Sequence, residues 1–236
     1  MGQAQSPAEA RLSQSDVTAL YDKLSGVYNL FGHLAESKAR DRSLELAEIK
    51  SGQNVLEVAV GTGLAFISVV RVNPNGRNVG IDISQGMLSN AKNRLQNAGL
   101  SNYELSIGSA LAIQEKDNAF DLLLNSYMFD LMDEHDWGTV LKEFHRVLKP
   151  KGRLVLVNMT FGEKFGSGIY QRLFRLSPTL MGGCRGIQMS DPLQRNGFCV
   201  HSREYIQQLL FPSEVILASK GNSYQATPYD IDRPRA

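Results

Sequence analysis

The sequence predicts an α/β domain built on a doubly wound sheet with helices on both faces. Three observations lead there. Short apolar runs rich in β-branched residues alternate with stretches of helical period, a glycine turn follows the first run, and an acid closes the second.

The first run, Val55 to Val60 (VLEVAV), has the length and composition of a strand buried on both faces. Glu57 interrupts it and is expected to look outward near the strand's end, because burying a carboxylate is costly. Gly61 and Gly63 flank Thr62 and allow a sharp turn with close approach of a ligand to the backbone. Leu64 to Arg71 continues as a helix whose first amides face the turn, and Asn73-Pro74-Asn75-Gly76 ends it. The second run, Asn78 to Ile83 (NVGIDI), places Asp82 at its C-terminal end, 19 residues after Gly63. A carboxylate there suits the two ribose hydroxyls of a nucleoside-type cofactor. A dinucleotide fingerprint needs a third glycine where Phe66 stands, which disfavours NAD or FAD.

The segment Glu57-Val58-Ala59-Val60-Gly61-Thr62-Gly63 resembles the first motif of class I S-adenosylmethionine-dependent methyltransferases, an acid followed by alternating glycines. Ala59 stands where the first glycine belongs and slightly narrows the turn. The resemblance spans roughly Tyr21 to Lys220 and looks nearest the branch of quinone-methylating UbiE-type enzymes and bacterial phospholipid N-methyltransferases. It implies a Rossmann-like sheet of seven strands, mostly parallel with an antiparallel C-terminal strand. It also implies S-adenosyl-L-methionine as cofactor and S-adenosyl-L-homocysteine as product.

Composition bounds the rest. The 236 residues suit one domain with a large core, and 25 basic against 24 acidic residues leave a net charge of +1. That balance gives no footing for a nucleic-acid partner. No apolar run approaches the ~18 residues of a membrane-spanning helix, and no secretory segment opens the chain, so a soluble cytoplasmic protein is expected. Cys184 and Cys199 are too few for a disulfide framework and lack partners for a zinc site, so no metal is expected.

In order along the chain, residues 1–14 read as a disordered leader, 15–227 as the domain and 228–236 as a tail. Within the domain, 15–50 is an N-terminal helical lid and 160–200 an insertion that builds the acceptor site. Val17, Leu20, Tyr21, Leu24, Val27, Tyr28 and Phe31 recur at helical spacing. In the family the equivalent tyrosine-rich stretch folds over the cofactor, which makes Tyr28 a cofactor candidate, while Tyr21 reads as packing. Asn29 stands where the family often has a second Asp. Glu36 to Ile49 is a charged helix of the scaffold.

After Asp82 and Ile83, Ser84 is an N-cap, Met87, Leu88, Ala91 and Leu95 form a buried stripe, and Gly99 stops the helix. Met87 could cover an adenine ring or simply belong to the core. Tyr103 to Ile107 is the third strand. Gly108-Ser109-Ala110 follows where the family has Gly-Asp-Ala, so Ser109 or the Ala110 amide is left to meet the adenine amino group. Phe120 to Asn125 is the fourth strand, and Asn125 to Asp130 should border both methyl donor and acceptor. The cofactor candidates are therefore Tyr28, Glu57, Ala59, Gly61, Thr62, Gly63, Asp82, Ile83, Met87, Ser109, Ala110 and Asn125.

Glu134 to Leu148 is a helix carrying EFHRVLKPKG into a fifth strand, Arg153 to Asn158, a pattern that again resembles the family; His145 reads as a structural partner. Phe165, Ile169, Leu173, Leu176 and Leu180 fall near helical spacing with Arg172 and Arg175 beside them, before Pro178 and a glycine-rich connector. Such a stripe suits a lipid, quinone or other greasy acceptor presented at a membrane surface, and equally suits a helix packed on the core. A helix at Ser202 to Leu210 and strands at Glu214 to Ser219 and near Tyr224 to Thr227 complete the chain.

The reading is transfer of a sulfonium methyl group to a small-molecule acceptor, lipid or quinone among the candidates, by in-line displacement. No catalytic side chain is singled out; His33, Tyr127, Asp130 and His201 are the titratable groups to inspect. A cofactor-binding regulatory or non-catalytic subunit is the alternative, and an NAD-type oxidoreductase the third reading. Acceptor identity and oligomeric state are not legible.

Overall fold

The computed structural model describes residues 37–161, 186–208 and 211–221. The expected leader, the stretch with Tyr21, Tyr28, Asn29 and His33, the segment Phe165 to Leu180 with its arginines, Cys184, the strand near Tyr224 and the tail lie outside the described residues.

Helix α1 (Ser37–Ala47) precedes strand β1 (Asn54–Val58), and α2 (Phe66–Val72) leads to β2 (Arg77–Asp82). Then come α3 (Gln85–Asn97), β3 (Glu104–Ile107), β4 (Phe120–Ser126), α4 (Glu134–Val147) and β5 (Leu148–Met159). The chain closes with α5 (Ser190–Arg195), β6 (Phe198–Gln208) and β7 (Phe211–Lys220). Among the described residues these strands form one seven-stranded sheet in the order β3-β2-β1-β4-β5-β7-β6. The pairs from β3 across to β5 are parallel, and β7 runs antiparallel to both β5 and β6. The strand order reverses between β1 and β4, and a sheet wound this way opens a crevice outside the carboxyl ends of those two strands.

Two apolar layers cover the sheet. On one side Leu56, Val58, Leu123 and Leu154 pack with Val140, Leu141, Phe144 and Val147 of α4. On the other, Val55, Leu122, Leu124 and Val155 pack with Ala39 of α1, Phe66 and Val69 of α2, and Leu88 and Leu95 of α3. A helix as short as α2 is marginal alone in water. Phe66, fully buried, anchors it, at roughly 1.5–3 kcal/mol for such a side chain. Gly80 makes room: a Cβ there would sit 2.8 Å from Leu105 Cδ2 and 3.1 Å from Val60 Cγ2.

Two expectations are corrected. Ser202 to Leu210 was read as a helix, whereas residues 198–208 form β6, paired with β7 from Phe198↔Lys220 to Gln208↔Phe211. Arg, Glu and Gln favour helices locally, but the long ladder and the side-chain pair between Arg203 and Glu214 override that preference. Glu57 was expected to face outward. It is buried, because its strand is flanked in register by Gly80 of β2 and Leu124 of β4, and a central strand covered on both faces offers no outward side.

Candidate functional site

The turn after β1 takes an alternating backbone. Ala59, Gly61 and Gly63 have φ of +58°, +54° and +77°. Glycine adopts this left-handed region freely, while alanine pays about 1–2 kcal/mol. The alternating glycines of the motif are thus a backbone requirement, and Ala59 meets it under strain. The Val60 amide donates to the Ile81 carbonyl at 3.0 Å and the Gly63 amide to the Val60 carbonyl at 3.0 Å, which fixes the loop to the tip of β2. A Cβ on Gly63 would stand 3.0 Å from the Ala91 Cβ on α3, whereas one on Gly61 would meet nothing within 4 Å among the described residues. Gly63 therefore packs inward, and Gly61 faces open space.

Asp82 joins this turn from the neighbouring strand. The Gly61 amide donates to Asp82 Oδ2 at 2.8 Å and the Ser84 amide to Oδ1 at 2.9 Å. Ser84 caps α3 by accepting from the Met87 amide at 3.2 Å, and the stripe Met87, Leu88, Ala91 and Leu95 is buried as expected. The Met87 side chain is 5% exposed, the packed condition of the plainer reading, whereas Ile83 is 43% exposed and offers apolar surface beside Asp82.

Beyond β3, the Gly108 amide donates to the Asp82 carbonyl at 3.0 Å. Ser109 Oγ accepts from the Leu111 amide at 3.2 Å, and Ala110 is buried behind it. Thr62 is buried at the crown of the turn, and its carbonyl accepts from Arg94 Nε at 2.9 Å, a contact the sequence reading missed.

Glu57 lies beneath the turn with its Oε2 buried and without a hydrogen-bond partner among the described residues. Burial first, and the Asp82 charge second, push its pKa up to about 8, so the carboxyl keeps its proton at neutral pH. Asn125 closes the other flank, in register with Val58. Its Nδ2 donates to the Val58 carbonyl at 2.9 Å, and its Oδ1 is buried without a partner among the described residues. The loop after β4 holds Tyr127 at φ +53°, its hydroxyl 3.0 Å from Ser213 Oγ. Asp130 is buried and accepts from the Met159 amide at 3.1 Å. Edge-on contacts of Phe129 with Trp137 and Phe144, at 6.2 and 5.9 Å between centroids, anchor this loop.

The structure thus gathers Glu57, Ala59, Gly61, Thr62, Gly63, Asp82 and Asn125 at adjoining strand tips. His201 is not part of the group. It is exposed near the start of β6, where its Nε2 lies 2.8 Å from Ser219 Oγ. His145 takes the structural part expected of it, edge-on to Phe198 at 5.5 Å and 3.4 Å from the Gly221 carbonyl. A second buried group lies at the carboxyl end of β5. Glu214 there accepts from Arg203 Nε at 2.6 Å and from the Met189 amide at 3.0 Å, and Arg203 Nη2 donates to Thr160 Oγ1 at 3.2 Å. Its partners are remote in sequence, so no local pattern signals it.

The arrangement fits an adenosyl donor. Among the described residues open space lies beside the bare backbone of Gly61, the Asp82 carboxylate is bonded to that backbone, and apolar Ile83 flanks it.

Residues 49–185 match a family model described as a methyltransferase domain. A demethylmenaquinone methyltransferase of Geobacillus kaustophilus is 32% identical over 168 residues, covering 70% of each chain. That of Listeria innocua is 32% identical over 143 residues, covering 60% of this chain and 58% of its own. Among solved structures, the [4+2]-cyclase SpnF aligns with a TM-score of 0.71 at 18% identity over 92% of this chain and 99% of its own. A SAM-dependent methyltransferase from Aquifex aeolicus aligns with a TM-score of 0.57 at 17% identity, over 89% of this chain and 99% of its own. At such identities the structural likeness speaks to the fold alone.

Proposed function

Because the chain belongs to the methyltransferase-domain family, as a class I S-adenosylmethionine-dependent enzyme of the UbiE branch, we propose that it methylates a quinone-type small molecule, with the donor seated between the glycine turn and Asp82. One observation carries the seat: the left-handed turn and the carboxylate occupy neighbouring strand tips, tied by the Gly61–Asp82 hydrogen bond, at the point where the strand order reverses. When bound, S-adenosylmethionine supplies an activated methyl group on a sulfonium centre. Asp82 takes the ribose hydroxyls, the Gly61 backbone lies along the chain linking sugar to amino acid, and Ile83 faces the purine. Ser109 and the Ala110 amide meet its amino group, while Asn125 borders the reacting methyl.

The protein's share of the chemistry is alignment and exclusion of water. Alignment alone lowers such a barrier by on the order of 7–11 kcal/mol, so no protein nucleophile is required. A base is needed only for an acceptor that arrives protonated, and Asp130 and Tyr127, which follow β4, are the titratable groups beside that position. The quinone class is supported by the printed activity of the relatives, demethylmenaquinone methylation. No described helix is long and apolar enough to cross a membrane, so a prenylated acceptor would be met at the membrane surface.

The test is transfer of labelled methyl from S-adenosylmethionine to a prenylated demethylnaphthoquinol, with a phosphatidylethanolamine vesicle as the competing acceptor. Label in the quinol supports the proposal. Label in the lipid amine replaces the acceptor class, and donor binding without transfer to any acceptor favours a non-catalytic role.

A further inference from the structure

Large apolar side chains are exposed at the carboxyl edge of the sheet on both sides of the point where the strand order reverses. Among the described residues, Ile83 and Ile107, 43% and 53% exposed, stand at the tips of β2 and β3. Phe161, 50% exposed, follows the end of β5 on the other side and is the one aromatic of the three. A lone exposed apolar residue is ordinary on a protein surface. What sets Phe161 apart is how firmly the chain that carries it is held. The Met159 amide donates to the buried Asp130 carboxylate at 3.1 Å, and the Thr160 amide to the Pro212 carbonyl at 2.9 Å. Arg203 Nη2 donates to Thr160 Oγ1 at 3.2 Å, and Arg203 Nε donates in turn to the fully buried Glu214 at 2.6 Å. The returning chain brings Gly186 against the ring: a Cβ there would stand 3.1 Å from Phe161 Cδ1 and 3.2 Å from its backbone nitrogen. One edge of Phe161 is thus covered by bare backbone, and half of the residue is left open.

We propose that Phe161 is a specificity-determining residue for the methyl acceptor, a platform on which a flat aromatic ring stacks, and that Arg203 and Glu214 position it through Thr160. This rests on the reading of the crevice as the place of methyl transfer. In the sheet, β4 with Asn125 at its end lies between the donor seat on β1 and β2 and the Phe161 end of β5. A ring laid on Phe161 therefore meets the donor across Asn125. Aromatic rings attract one another in offset or edge-on arrangements beyond the area that they bury, which selects a quinol ring over a zwitterionic head group. A buried ion pair adds little net stability, because desolvation offsets its attraction, and here the pair serves geometry.

The experiment measures acceptor KM and kcat with a prenylated demethylnaphthoquinol, and donor-site affinity by titration of S-adenosylhomocysteine. Phe161→Ala should raise the acceptor KM by about tenfold or more and leave donor affinity within about twofold, whereas Phe161→Trp should keep KM within about twofold. Thr160→Val removes the hydroxyl that Arg203 holds and should raise KM by a smaller factor, while Thr160→Ser, which keeps the hydroxyl, should match wild type. A second readout needs no turnover. Phe161→Trp adds a fluorophore to a protein whose single tryptophan is Trp137. With S-adenosylhomocysteine bound, the oxidised prenylated naphthoquinone should quench this variant saturably and more deeply than wild type. An unchanged KM in Phe161→Ala, an equal loss of donor affinity, or no added quenching overturns the platform. An unchanged KM in Thr160→Val overturns the positioning by Arg203 and Glu214. If the wild type transfers no methyl to the quinol while the added quenching persists, the methyl-transfer reading fails and the aromatic site stands.

Discussion

The Gly61 amide donates to Asp82 Oδ2 at 2.8 Å, tying the turn after β1 to the tip of β2. The bond sets the spacing between bare backbone and carboxylate, so the carboxylate is a structural tie as well as the proposed ligand-binding group. Asp82→Asn keeps the shape, but its amide NH₂ must face either the Gly61 or the Ser84 N–H. We expect a stability loss of about 1–3 kcal/mol from the donor left unpaired, read by urea denaturation.

Ala59 occupies a glycine position at φ +58°. Ala59→Gly removes left-handed strain of about 1–2 kcal/mol and returns part of it through the freer unfolded chain. The expected net gain is up to ~1 kcal/mol, seen as a higher melting temperature; a lower one would mean that the Ala59 methyl packs usefully.

Gly61 and Gly63 should separate stability from binding. Gly63→Ala places a Cβ 3.0 Å from the Ala91 Cβ at φ +77°, so unfolding should be easier by about 2–3 kcal/mol. Gly61→Ala meets no neighbour within 4 Å among the described residues and should lose only about 1 kcal/mol of stability. Its methyl points into the space assigned to the donor, so affinity for S-adenosylhomocysteine should fall by about tenfold or more. Loss of binding from Gly63→Ala alone would reverse this assignment.

Glu57 sets a pH dependence with a definite sign. Its ordinary value of 4.5 is raised to about 8 in the fold, so the unfolded chain sheds the proton first as pH rises. Stability is then full below the ordinary value and declines through the window up to the folded value. The decline is of order 5 kcal/mol. Glu57→Gln should remove that slope, being more stable than wild type at about pH 8 and similar below about pH 4. Parallel denaturation curves across the range would show that Glu57 ionises freely in the folded protein.

Strands β1, β2, β4 and β5 were legible because each is an apolar run bounded by turn residues. Ser84, Gly99 and the stripe on α3 followed from capping and helical period. What escaped the sequence depends on distant partners. β6 reads as helix until β7 is laid against it, and Glu57 reads as exposed until β2 and β4 flank it. Arg94 sits on α3, and nothing local in that helix shows that it reaches the Thr62 carbonyl of the turn. The motif itself was legible as a pattern of glycines, and its cause became plain only as a row of left-handed residues.

The most direct measurement is the affinity of S-adenosylhomocysteine for the wild-type protein and for Asp82→Asn, by calorimetry below both melting temperatures. We expect one saturable site in the wild type, weakened by roughly 1.5–3 kcal/mol for each charge-assisted hydrogen bond lost in the variant, about tenfold or more. Equal affinity in the two proteins would contradict the placement of the donor beside Asp82.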